Sequence, residues 1–168
     1  MRRLLAASAI GFLIVGGAQA RAAYPTQPVS LGMYSGRWFQ VGQIVKSNHH
    51  PCLGGADDFA DRPGGGYTVT ITCHEHTLTG PVHRLSLKIA IVPGSGNTRF
   101  RMSFLGGLIK QEYWVLDHAP DNSWAVMATP GGHYLWLLSR TPALTGAPRA
   151  AAVAAIRSLG YDVSRLTP

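Results

Sequence analysis

A chain of 168 residues is the length of one compact domain, and its 46% hydrophobic and 14% charged residues exclude an intrinsically disordered chain, which lacks apolar residues and carries dense charge. The basic residues behind the net charge of +7 are scattered: Arg62, Arg84, Lys88, Arg99, Arg101, Arg140, Arg149, Arg157 and Arg165 form no run. The clustered basic stripe of a nucleic-acid-binding protein is therefore missing, and no nucleic-acid partner is expected.

Residues 1–20 predict a signal peptide. Arg2-Arg3 supplies a positive start, residues 4–15 are apolar but too few to span a bilayer comfortably, and Ala18-Gln19-Ala20 has the small-x-small pattern of a cleavage site. No cysteine follows the apolar stretch, so lipidation is not expected, and the chain is read as exported, periplasmic or secreted. Residues 21–168 are then a single domain. After a proline-containing lead over residues 24–33, short strand-like segments recur between turn residues. They cover residues 37–45, 54–61, 67–73, 84–91, 99–104, 111–117, 123–129 and 133–139. The clearest is Tyr67-Thr68-Val69-Thr70-Ile71-Thr72-Cys73, where large side chains alternate with threonine at the strand period of two. Leu85, Leu87, Ile89 and Ile91, and then Phe100, Met102 and Phe104, alternate with polar neighbours in the same way. Eight such strands point to a sandwich or an up-and-down barrel. Residues 147–159 break the pattern: the stretch is alanine-rich, with Val153, Ile156 and Leu159 three apart. Thr145 is placed to start a helix and Gly160 to end it.

Two motifs carry a resemblance. Val29-x-Leu31-x-x-Tyr34-x-Gly36-x-Trp38-Phe39 resembles the opening signature of the lipocalins, and Tyr134-Leu135-Trp136-Leu137-Leu138-Ser139-Arg140-Thr141-Pro142 is similar to the last strand of bacterial lipocalins. Tyr113-Trp114-Val115-Leu116 resembles a strand of the apolipoprotein D branch. The likeness runs from Val29 to Arg165. It departs from the family at Asp117-His118-Ala119-Pro120-Asp121, where Thr-Asp-Tyr is usual, and at Gln40, where an acidic residue often stands. The resemblance implies an all-β fold: an eight-stranded antiparallel up-and-down barrel with one C-terminal helix packed outside. It further implies that Gly36, Trp38 and Arg140 form a structural signature, Trp38 closing one end with Arg140 across its indole.

The family pattern also turns the face of Tyr134, Trp136 and Leu138 inward. Strand parity adds Gln40 and Gly42 from the first strand, Leu85, Leu87 and Ile89, Phe100, Met102 and Phe104, and Tyr113 and Val115. A cavity so lined suits a small hydrophobic ligand, such as a fatty acid or lysophospholipid, and the chain is read as its carrier, with peripheral contact to the outer membrane left open. Cys52 and Cys73, the chain's two cysteines, are expected to be disulfide-bonded in an oxidising compartment. The alternative is a metal- or haem-binding exported barrel. In that reading His49 and His50 are brought to His74 and His76 by the disulfide, the last two sharing a strand face. The sequence has no nucleophile elbow, phosphate loop or His-Glu-x-x-His motif, so neither enzyme activity nor a cofactor is expected.

Overall fold

A computed structural model describes residues 22–45 and 52–168; the expected signal peptide, and His49 and His50, lie outside the described residues. Eight strands follow one another: β1 (Gly36–Ile44), β2 (Cys52–Asp61), β3 (Tyr67–Glu75), β4 (Val82–Ile91), β5 (Arg99–Phe104), β6 (Ile109–His118), β7 (Trp124–Ala128) and β8 (Leu135–Ser139). Each pairs antiparallel with the next, and β8 returns to β1, so the sheet closes into an up-and-down barrel. Closure removes every sheet edge, and eight strands enclose an interior just wide enough for side chains or one small ligand. The predicted fold class is the observed one.

Alternation with period two divides the apolar residues between two cores. Trp38, Val69, Ile89, Phe100, Val115 and Leu138 fill the barrel interior. Leu135, Leu137, Trp124 and Val126 belong to the second core, outside the barrel, where they meet Ala152 and Ile156 of the single α-helix, α1 (Gly146–Ser158). The strands β7 and β8 are thus covered on both faces, which is why β7 is buried along its whole length.

Helix α1 begins after Thr145, as expected, although the threonine hydroxyl makes no capping bond. It ends at Gly160, whose φ of +85° closes a Schellman motif: Tyr161 N–H donates to Ile156 C=O and Gly160 N–H to Arg157 C=O. Of the expected row Val153, Ile156 and Leu159, the last two are on the packed face and Val153 is not. Ala152 and Ile156 are the buried residues, with Ala155 and Leu159 beside them. Small alanines let the helix lie close to the sheet, whereas the sequence pattern drew attention to the larger Val153.

The barrel's two ends differ. Strands β2–β3, β4–β5 and β6–β7 are joined at one end, where a short 3₁₀ turn (Leu31–Met33) and the lead before β1 lie across the interior. Val29 N–H donates to Gly96 C=O, Asn97 Nδ2 to Val29 C=O, Tyr67 Oη to Leu31 C=O, and Tyr34 Oη to Asn97 C=O. Trp38 lies beneath this lid, 2% exposed, with its indole N–H aimed at Met33 C=O. The Arg140 guanidinium carbon sits 3.8 Å from the Trp38 ring centroid, while its nitrogens donate to Met33 C=O at 2.6 Å and Arg37 C=O at 2.9 Å. Gly36 enters β1 with φ of +89°, a conformation that disfavours any side chain. These contacts form the closed end.

Candidate functional site

Above the plug, toward the other end, the interior holds a cavity of about 200 Å³. Five of the residues singled out from parity line it: Gln40, Met102, Tyr113, Trp136 and Leu138. The remaining expected positions lie elsewhere. Leu87, Phe100 and Val115 belong to the close-packed core around Trp38, and Phe104 packs against that core. Tyr134, just before β8, stacks on Trp136 with centroids 6.0 Å apart, and Leu85 is 38% exposed.

Four lining residues were not anticipated: Gln43, Asp57, Ile71 and Met127. Ile71 shares its face with Tyr67 and Val69, so parity on β3 alone would have found it. Gln43 is inward because the β1–β8 register shifts between Gln40 and Gly42. One extra residue in a bulge reverses the alternation beyond it. Gly42, expected on the Trp38 face, instead lies beside Leu166, where an added Cβ would come within 3.1 Å of Leu166 Cδ1. Val41 and Ile44 pack on the outer core.

Asp57 is the chemically distinctive wall residue. Strand β2 pairs it with Trp38 on one side and Ile71 on the other, which fixes its carboxyl inward. It is 7% exposed, and Gln40 Nε2 donates to its Oδ1 at 2.9 Å. The Gln40 amide has room because Gly55 lacks a side chain: a Cβ there would come within 2.6 Å of Gln40 Oε1. Among the described residues no Lys, Arg or His forms an ion pair with Asp57. Burial pushes its pKa up to about 7, the Gln40 bond offsetting part of the effect and the neighbouring Asp58 adding to it. Burial likewise pushes the Tyr113 phenol up to about 12. Tyr113 and Trp136 bring their rings to 5.7 Å, and Phe100 stacks on the far side of Tyr113 at 5.6 Å. The site is an apolar chamber with two amides, a phenol and one carboxyl that has no cationic partner among the described residues.

The rim at this end is apolar as well. Leu78 and Val82 flank the β3–β4 turn, and Leu105, Leu108 and Ile109 occupy the β5–β6 turn, each more than half exposed. The histidines expected to share a strand face do not. The ring of His74 bonds to Gly80 C=O at 3.0 Å, whereas His76 lies past the end of β3 with φ of +62°, where strand alternation has stopped. Among the described residues no group of three or more His, Cys, Asp or Glu is placed to hold a metal ion.

The chain is 27% identical over 143 residues to the outer membrane lipoprotein Blc of Vibrio cholerae, covering 84% of this chain and 82% of that one. Its fold is similar to insecticyanin from the tobacco hornworm Manduca sexta, with a TM-score of 0.67 and 18% identity over 86% of this chain and 82% of that one. It is also similar to the cockroach allergen Per a 4, with a TM-score of 0.66 and 14% identity over 89% and 94%. The family model for a lipocalin-like domain matches residues 29–168, from the lead before β1 onward, and the chain belongs to the lipocalin family.

Proposed function

We propose that the chain binds and carries a small hydrophobic ligand in the barrel cavity, and acts by binding rather than catalysis. The observation that carries this reading is the cavity itself, walled by Ile71, Met102, Met127, Trp136 and Leu138 with a few converging polar groups, the usual composition of a small-molecule site. At about 200 Å³ it is smaller than the roughly 300–1,000 Å³ of drug-sized pockets, so it admits a ring or a short chain rather than a whole lipid. A longer acyl chain would leave through the apolar rim.

Titration with decan-1-ol, a neutral apolar probe, is expected to change tryptophan fluorescence, because the Trp136 indole lines the cavity. Trp136→Ala removes a large part of the wall and is expected to weaken binding about tenfold or more, since burying each methylene of a ligand contributes ~0.8 kcal/mol. Unchanged affinity in that variant removes Trp136 from the site, and failure of the wild type to bind the probe sinks the reading.

Export after cleavage at Ala20, a Cys52–Cys73 disulfide and peripheral contact with an anionic membrane belong to the same proposal. Support for the disulfide comes from the pairing of Cys52 with Glu75, which sets the two cysteine-bearing segments side by side, and from Cys73 being buried and not a free thiol. Intact mass with and without reductant checks the first two. Flotation with anionic vesicles checks the third, for which the exposed rim leucines speak, together with the net charge of +5 that remains of the full chain's +7 once Arg2 and Arg3 are cleaved away.

A further inference from the structure

We propose that the cavity selects a compact apolar ligand carrying one protonated amine, with Asp57 as its counter-ion and the rings of Tyr113 and Trp136 against the ammonium. This rests on the binding function proposed above and names the ligand class of that cavity. A carboxyl buried among Ile71, Met102 and Leu138 is costly to ionise, and such groups in folded proteins are normally paired. Here Gln40 contributes one bond to Oδ1, and among the described residues no cationic side chain approaches. Among the described residues, the neighbours of Asp57 leave that role open. From β1 come the neutral Trp38 and Gln40, from β3 Ile71, and from β6 the Tyr113 phenol, which burial keeps protonated and neutral. Asp58, next in the chain, is on the outer face and is held by Arg37 at 2.7 Å. The cation that would complete the site is therefore one that a ligand brings.

The rest of the wall fits an amine. Gln40 and Gln43 place two amides in the cavity wall, and a cation against the Tyr113 and Trp136 rings gains further attraction in a dry site. The apolar wall receives the body of the ligand: an engineered cavity of about 150 Å³ holds benzene, so this one has room for an aromatic ring with a short linker. An acid head group is disfavoured here, because it would place a second carboxylate beside Asp57 with no cation between them. A fatty acid would enter tail first and leave its carboxylate at the rim.

Three matched probes separate the possibilities: 3-phenylpropan-1-amine, 3-phenylpropan-1-ol and 3-phenylpropanoate, measured by calorimetry on the full chain at pH 8. The amine is expected to bind about tenfold or more tighter than the alcohol, and the acid weakest, as for a charge-assisted bond in a desolvated site. Below about pH 7 amine affinity is expected to fall by about tenfold per pH unit, because binding requires Asp57 to lose its proton, while the alcohol shows no such slope. Asp57→Asn is expected to abolish the amine preference and the slope together. Equal or tighter binding of the acid by the wild type overturns the proposal, and so does unchanged amine affinity in Asp57→Asn. The wild-type pH series decides the matter without any variant. If the alcohol and decan-1-ol bind but the amine has no advantage, the amine assignment falls and the apolar-carrier reading stands; if nothing binds, both fall.

Discussion

Trp38→Ala is expected to destabilise the barrel by ~3–5 kcal/mol, the usual cost of deleting a buried Trp, and to lower the melting temperature by on the order of 10 °C. The indole is 2% exposed and sits where the lead, β1 and β8 converge. Its removal does more than open a void. Arg140 would lose the ring it lies on and keep only its two backbone acceptors, Met33 C=O and Arg37 C=O. Those acceptors in turn anchor the 3₁₀ turn to the barrel, so the closed end would loosen as a unit. Arg140→Lys tests the second half of this account. A lysine keeps the charge but cannot span both carbonyls from a planar fork while covering the indole, and is expected to cost about 1–3 kcal/mol through the acceptors left unpaired. Thermal melts of the two variants and their double mutant measure the coupling. An unchanged melting temperature in Trp38→Ala, or strict additivity in the double mutant, would mean that the plug is not cooperative.

What was legible in the chain was whatever obeys period two without interruption. On β3 the alternation of large residues with threonine carries Val69 and Ile71 inward without a break, and on β8 Trp136 and Leu138 separate cleanly from Leu135 and Leu137. Gly36-x-Trp38 and Arg140 pointed to the closed end because glycine, indole and guanidinium each have a role there that few residues share. The cavity was harder to read, for two physical reasons. A bulge in β1 reverses parity with no side-chain signal of its own, which concealed Gln43 and moved Gly42 outside. Strand β2, with the sequence Cys-Leu-Gly-Gly-Ala-Asp-Asp-Phe-Ala-Asp, has little β-propensity and forms through its pairing with β1 on one side and β3 on the other. Asp57 and Asp58 are identical as letters. Only the register decides that one faces the chamber and the other faces Arg37. Parity also assigns a face but not a height, so it does not separate the cavity wall from the rest of the interior core, to which Leu87, Phe100 and Val115 belong.

Asp57→Asn is expected to make the ligand-free protein more stable well above pH 7, by about 4 kcal/mol, and to change it by less than about 1 kcal/mol near pH 4. In the folded chain burial raises the Asp57 carboxyl from 3.8 to about 7, so the folded state binds a proton that the unfolded state has released. A raised acid of this kind gives its full stabilisation below the unfolded value. That contribution is lost progressively as the pH rises toward about 7, and above it the protein carries the whole cost of a buried, unpaired carboxylate. Asparagine is nearly isosteric, keeps a carbonyl to accept from Gln40 and carries no charge. The carboxyls of Asp58, Asp121 and Asp162, which hydrogen bonds hold low, lose their contributions only at more acid pH. They are also common to both proteins, so the difference between variant and wild type isolates Asp57. Denaturant melts at pH 4.5 and 8.5 check the expectation, and an equal difference at both pH values would mean that Asp57 is not held in a desolvated state. The same measurement bears on function. A carboxylate kept at this cost in the empty barrel is stabilised by whatever supplies a cation, so an amine ligand is expected to raise the wild-type melting temperature most at pH 8.5 and to have little such effect on Asp57→Asn.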